Sequence, residues 1–159
     1  MKVFDAQYFD ELTGLATKSP RLRQHRNIHQ SYQDAVQRLF NAIEPGSYIR
    51  PHRHASDPRK ELLIAIRGSM ALITFGDQGS VTGILRFGSE KHGSKLAAGV
   101  EVPANTWHTV VALKPGCVLL EVKAGPFDSS QPKDLAPWAP EEASAMAQGY
   151  LKVLVELAS

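Results

Sequence analysis

The chain has a single cysteine, Cys117, in 159 residues. That excludes an internal disulfide and a zinc site built on several thiolates. No apolar run approaches the roughly 20 residues that a membrane-spanning helix needs. Neither sign of charge dominates: 18 Lys and Arg stand against 16 Asp and Glu, a net +2 that is too small to argue for nucleic acid. The N-terminus, MKVFDAQYFDELTGL, carries acidic residues where a signal peptide would need an unbroken apolar stretch. A cytoplasmic location is the resulting expectation. Internal repeats and low-complexity tracts are missing too. What is present, 43% apolar and 21% charged residues, suits one globular domain (1–159) long enough to bury a single substantial core.

Apolar positions Val3, Phe4, Tyr8, Phe9, Leu12 and Leu15 fit a short amphipathic helix, which Pro20 stops. Residues 19–34 are polar and basic and read as a loop or short turn. From Val36 the pattern changes to short apolar runs: VQRLFNAI, SYIRPHRH, ELLIAI, SMALITF, VTGILRF, VEVP, WHTVVAL and CVLLEV. Each reads as a strand. Turn signals at Pro45-Gly46, Asp57-Pro58, Arg67-Gly68, Gly76-Asp77 and Pro115-Gly116 separate them. Connections this short do not allow parallel crossovers. The pattern predicts an all-β fold, an antiparallel jelly-roll barrel over about residues 36–123. Residues 1–35 supply a helix and a basic loop. Residues 124–159 supply a proline-rich wrapping segment, with Trp138 as its anchor, and a C-terminal helix over 141–157. Edges of such a barrel need covering, which predicts a homodimer.

Two segments carry the functional signal. The first is Gly46, five residues, His52-Arg53-His54, six residues, Glu61, six residues and Gly68; the second is Pro103-Ala-Asn105-Thr-Trp-His108. On a strand, His52 and His54 share a face. With a carboxylate and a third imidazole from neighbouring strands they make a ligand set for a divalent metal. Glu61 opens the apolar run LLIAI, where an unpaired carboxylate is costly, and a metal or an arginine partner offsets that cost. His25, His29 and His92 read as ordinary structural or surface histidines.

These segments resemble the two cupin motifs. The first is Gly-x5-His-x-His, a glutamate, six residues and a glycine. The second has Pro-x-Gly-x2-His as its core. The resemblance implies a small jelly-roll barrel with one metal held by His52, His54, Glu61 and His108. The spacing between His54 and Glu61 is six residues where the family usually has three or four, so Asp57 is the alternative carboxylate. Asn105 stands in place of the usual glycine, a position Asn tolerates at positive φ. Ala112 stands where the second motif often ends in asparagine. Gln37–Ile43 leading into Pro-His-Arg-His, the Trp-His-Thr-Val run at 107–110 and Lys123-Ala-Gly-Pro-Phe127 further resemble the WbuC-type cupin-fold metalloproteins of bacteria. That likeness spans most of the chain and implies a place in surface-polysaccharide (O-antigen) biosynthesis.

Tyr48 and Arg50 have the parity of His52 and His54, so they are candidate catalytic groups on the metal-facing side. An arginine there would meet an anionic ligand or a buried carboxylate such as Glu121. The basic stretch Lys18, Arg21, Arg23 and Arg26 reads either as a solvated face or as the rim of a pocket for an anion. Two function classes follow. One is a metal-dependent enzyme, of isomerase/epimerase or oxygenase type, acting on a small anionic or sugar-type substrate. For it Tyr48, or a histidine from the 25–29 loop, is the candidate acid or base. The other is a non-catalytic metal-dependent module that binds a sugar or carboxylate. The ligand set suits Fe, Mn, Ni, Co or Zn.

Overall fold

The computed structural model describes residues 1–55, 59–89, 95–128, 130 and 133–159. Helix α1 (Ala6–Lys18) is capped by Asp5, whose carboxylate accepts the Tyr8 N–H at 2.9 Å. Among the described residues ten strands follow: β1 (Arg23–Asn27), β2 (Val36–Ile43), β3 (His52–Arg53), β4 (Glu61–Arg67), β5 (Ser69–Phe75), β6 (Val81–Gly88), β7 (Gly99–Val102), β8 (Trp107–Ala112), β9 (Cys117–Ala124) and β10 (Asp134–Leu135). Helix α2 (Ala147–Ala158) closes the chain. Among the described residues no helix is long and apolar enough to cross a membrane.

The strands form two five-stranded sheets, ordered β1-β2-β9-β4-β7 and β10-β3-β8-β5-β6, with antiparallel pairing between the named strands. This is the predicted antiparallel jelly-roll barrel. Alternation along each strand divides its side chains between two cores. Met70 and Leu72 of β5 point between the sheets with Ile43, Leu63, Phe87, Val110 and Leu119. Ala71, Ile73 and Phe75 of the same strand point outward, beneath Leu151 and Leu154 of α2. On the other sheet Phe40, Ala42 and Val118 point outward beneath Phe9, Leu12 and Ala16 of α1. Each helix thus seals the outside of one sheet and leaves the interior to the site.

Gly68, the glycine that closes the first motif, has φ +76°, and a Cβ there would lie 2.5 Å from the Cys117 Sγ. Only glycine fits both the backbone and the contact. Asn105 adopts φ +62°, the left-handed conformation anticipated from its place in the second motif.

Three sequence expectations need correction. The sheet begins at Arg23, because residues 23–27 pair with Leu39–Ile43 as β1 where a loop was predicted. The predicted strand SYIRPHRH is reduced to His52–Arg53. Pro51 has no N–H to give to a ladder, so residues 46–51 run irregularly and strand parity does not extend through them. The C-terminal helix starts at Ala147 rather than 141.

Candidate metal centre

β3 and β8 pair so that His52 lies opposite His108, with ring centroids 4.6 Å apart. Each ring is oriented by a carbonyl two residues earlier. The His52 Nδ1 lies 3.1 Å from the Arg50 oxygen and the His108 Nδ1 2.8 Å from the Thr106 oxygen. A carbonyl only accepts, so each Nδ1 carries a proton and each Nε2 is the nitrogen left to face the interior. Fixing a ring through its second nitrogen is how metal-binding histidines are held.

Glu61 is the first residue of β4 and is buried. Its Oε2 lies 3.1 Å from the His108 Nε2, its Oε1 3.1 Å from the His54 Nε2, and the Lys123 ammonium donates to Oε1 at 3.3 Å. Burial alone would raise the Glu61 pKa. The contacts with His108 and His54 and the charge of Lys123 outweigh it and hold the carboxyl well below its usual range. His52 is pushed well below an ordinary histidine, first by burial and then by the charge of Lys133 and by His108. It is therefore a neutral imidazole.

Ligand atoms of His52, Glu61 and His108 all lie within 4.8 Å of one another. Donors this close can converge on a single ion with a small inward shift of the side chains. The donor chemistry fits as well. With Nδ1 committed to a carbonyl, the His108 lone pair faces a carboxylate oxygen, an arrangement that calls for a cation or proton between them. These three residues could hold a metal ion. His54 meets Glu61 but stands outside the trio. Asp57, the alternative carboxylate, and His92 lie outside the described residues.

Two adjoining cavities open onto the trio, one of about 90 Å³ and one of about 270 Å³. Both are lined by His25, His52, Glu61, Glu121 and Lys133. His108, Asn41, Arg21 and Arg23 line the smaller; His54, His29, Tyr32, Lys123 and Phe127 line the larger.

Tyr48 and Arg50 are not among the residues lining either cavity. Tyr48 packs with Ala71, Ile73, Trp107 and Val111, on the outward face of the sheet that bears His108, and donates its hydroxyl to the Pro140 oxygen at 2.9 Å. Burial, then Tyr150, raises the pKa of its phenol, which stays protonated. Arg50 donates through Nε and Nη2 to the Ala136 oxygen at 3.1 and 2.8 Å. Glu121 takes its hydrogen bond from Asn41 at 3.1 Å, not from Arg50. The irregular backbone before Pro51 turns both side chains away from the metal-facing side. Cys117 is buried, its thiol is pushed up by desolvation, and it donates to the Ser69 and Lys114 oxygens; it is a packing residue.

Two lysines that line the cavities went unassigned from sequence. Lys123 was legible, since it shares parity with Leu119 and Glu121 on β9. Lys133 had no signal, because it reaches the cavities from the proline-rich segment.

Solved structures share this fold. The Shewanella oneidensis protein SO0799 matches with a TM-score of 0.57 at 14% identity, over 85% of this chain and 85% of that one. KdgF from Halomonas sp. matches with a TM-score of 0.51 at 15% identity, over 70% of this chain and 86% of that one. The capsular polysaccharide assembling protein CapF of Staphylococcus aureus matches with a TM-score of 0.53 at 18% identity, over 70% of this chain. The match spans only 29% of CapF. At these identities the likeness establishes the fold. No curated protein sequence matches the chain. Residues 4–87, just over half the length and including His52, His54 and Glu61, match the family model described as a domain of unknown function (DUF6016), and the chain belongs to that family.

Proposed function

We propose that this protein is a metal-dependent enzyme acting on a small anionic or sugar-type substrate, with one divalent ion held by His52, His54, Glu61 and His108. The observation that carries this reading is the convergence of His52, Glu61 and His108, with both histidines locked through Nδ1. A bound ion there would supply Lewis-acid or redox chemistry. The residues around it bind and orient substrate. His25 lines both cavities and has its pKa lowered, chiefly by burial, so it offers a neutral imidazole that can accept a proton. It takes the acid–base role that the sequence suggested for Tyr48 or the 25–29 histidines. The resemblance to WbuC-type proteins favours a role in surface-polysaccharide (O-antigen) biosynthesis, and the fold shared with a capsular polysaccharide assembling protein is compatible with it. We also propose a cytoplasmic homodimer. β6 is a sheet edge with Val81, Ile84 and Leu85 exposed, the kind of surface a second copy covers. A monomer mass at every concentration in light scattering would remove the dimer.

Elemental analysis of untagged protein should find one equivalent of a single divalent metal. Replacing His52 and His54 together by alanine should abolish one-to-one binding, weakening affinity by more than about a hundredfold, since losing even residues behind the ligands costs ten- to a hundredfold. Unchanged affinity in the folded double variant would show that the ligands lie elsewhere.

A further inference from the structure

The cations around the two cavities are almost all committed. Arg21 and Arg23 both pair with Glu142, at 3.0 and 2.7 Å. Lys123 rests on Glu61 at 3.3 Å, and Arg53 lies 3.3 Å from Asp134. Arg50 is spent on the Ala136 carbonyl. Lys133 differs. It lines both cavities, and among the described residues no carboxylate lies within ion-pair distance of it and no hydrogen bond engages it.

We propose that Lys133 is the charge-selecting residue of this site, receiving the carboxylate or phosphate of a sugar-sized substrate whose ring occupies the larger cavity. Its neighbourhood fits that task. Protein atoms crowd the ammonium enough to lower its pKa by desolvation, while the residue keeps contact with solvent. It lines both cavities together with His52 and Glu61, which sets it beside the proposed metal. Glu121, Glu142 and Glu61 favour its charged form from beyond pairing distance.

The rest of the larger cavity is built for a polar ring. Tyr32 and Phe127 form an aromatic wall, with centroids 5.2 Å apart. Gln37 pins that wall by donating to the Ser31, Tyr32 and Asp34 carbonyls, and the Phe127 N–H donates to the Tyr32 oxygen at 2.7 Å. An aromatic wall suits the apolar face of a sugar ring. His29, 7% exposed, has its Nδ1 engaged by the Arg38 backbone, 3.0 Å from the N–H and 2.8 Å from the carbonyl oxygen. Its Nε2 is buried with no partner. A hydroxyl of the ligand, which both donates and accepts, supplies the missing partner.

The assignment rests on the proposed metal site only for where the reacting end of the substrate lies, so the test uses both chelator-treated and zinc-loaded protein. D-glucuronate, glucose 1-phosphate and neutral D-glucose are titrated by calorimetry and ligand-observed NMR. At least one of the anionic sugars should bind about tenfold or more tightly than glucose, the size of one charge-assisted contact. Which of the two is preferred identifies carboxylate or phosphate as the group received. Lys133→Met should reduce that preference to below about threefold while leaving glucose affinity and zinc stoichiometry unchanged, and Lys133→Arg should restore most of it. Two results overturn the assignment: no anionic preference in the native protein, or a preference that survives Lys133→Met. A preference present only with zinc and indifferent to Lys133 gives the anion to the metal and leaves the metal reading intact. A Lys133-dependent preference in protein that binds no metal leaves Lys133 assigned and removes the metal reading.

Discussion

The interior of the barrel has two halves of opposite character. At one end, Ile43 of β2, Ala65 and Leu63 of β4, Ala112 and Val110 of β8, and Cys117 and Leu119 of β9 form a dry apolar core. At the other end the same strands, read on the same face, present Asn41 and Gln37, Glu61, His108, and Glu121 and Lys123. Register aligns the ends of the two halves, with a step at the boundary where Asn41 lies opposite Leu119 and Leu63 opposite Glu121. Gln37 lies opposite Lys123, which lies opposite Glu61, while Ala65 lies opposite Leu119. The apolar half supplies hydrophobic stabilisation. The polar half carries groups that weaken the fold, among them the unpartnered Nε2 of His29 and Oδ1 of Asn41. The apolar core and the candidate site are thus separated along the barrel axis.

Phe87→Ala breaks the apolar half and should give the largest effect. Phe87 is fully buried between the sheets, and phenylalanine truncations in cores cost about 3–5 kcal/mol. That is a large part of a typical domain's stability. Thermal and denaturant unfolding should record the loss, while metal stoichiometry of the folded protein stays unchanged. If metal binding falls with stability, the two halves are not separable. Arg23→Met probes the polar half with a smaller effect. Arg23 is buried, donates to both Glu142 oxygens at 2.7 Å and to the Tyr48 carbonyl at 2.9 Å, and ties β1 to the segment before α2. Glu142 is about a third exposed, so water recovers part of its charge when the arginine is gone. A loss of about 2 kcal/mol is expected in denaturant unfolding. A neutral or stabilising outcome would mean that the pair serves the site and not the fold.

How legible these halves were in the sequence depends on regularity. The apolar half was readable because its strands alternate without interruption: VQRLFNAI and SMALITF are the observed β2 and β5. His52, Glu61 and His108 were readable because their motif spacing places them at or near strand starts. Tyr48 and Arg50 were misplaced for the opposite reason, since the parity argument was carried across Pro51 into a segment with no ladder. β1 was missed because RQHRN has no apolar alternation; its inward residues Arg23, His25 and Asn27 face the polar half. Lys133 was beyond reach, because its place depends on how the wrapping segment crosses the mouth, which only tertiary packing decides.

The smallest expected effect concerns His25, which marks the outer limit of the polar half. Although the residue keeps contact with solvent, the protein atoms crowding its imidazole hold the pKa below that of an ordinary histidine, with Glu121 opposing the shift and Lys133, Arg21 and Lys123 adding to it. A histidine with a lowered folded pKa resists a proton that the unfolded chain accepts. Above about pH 6.5, the unfolded value, both states are neutral and His25 contributes no slope. As pH falls below that value the unfolded chain gains the proton first, and stability declines until the folded pKa is reached. His52 shifts in the same direction, so the slope of the native protein is the sum of both. In metal-free protein, melting temperatures between pH 7 and pH 5 should therefore fall less steeply for His25→Asn than for the native chain, with no difference at pH 7.5. Parallel slopes would mean that the imidazole is solvated like an ordinary surface histidine. The boundary of the desolvated half would then lie inside His25, at Asn41 and Glu121.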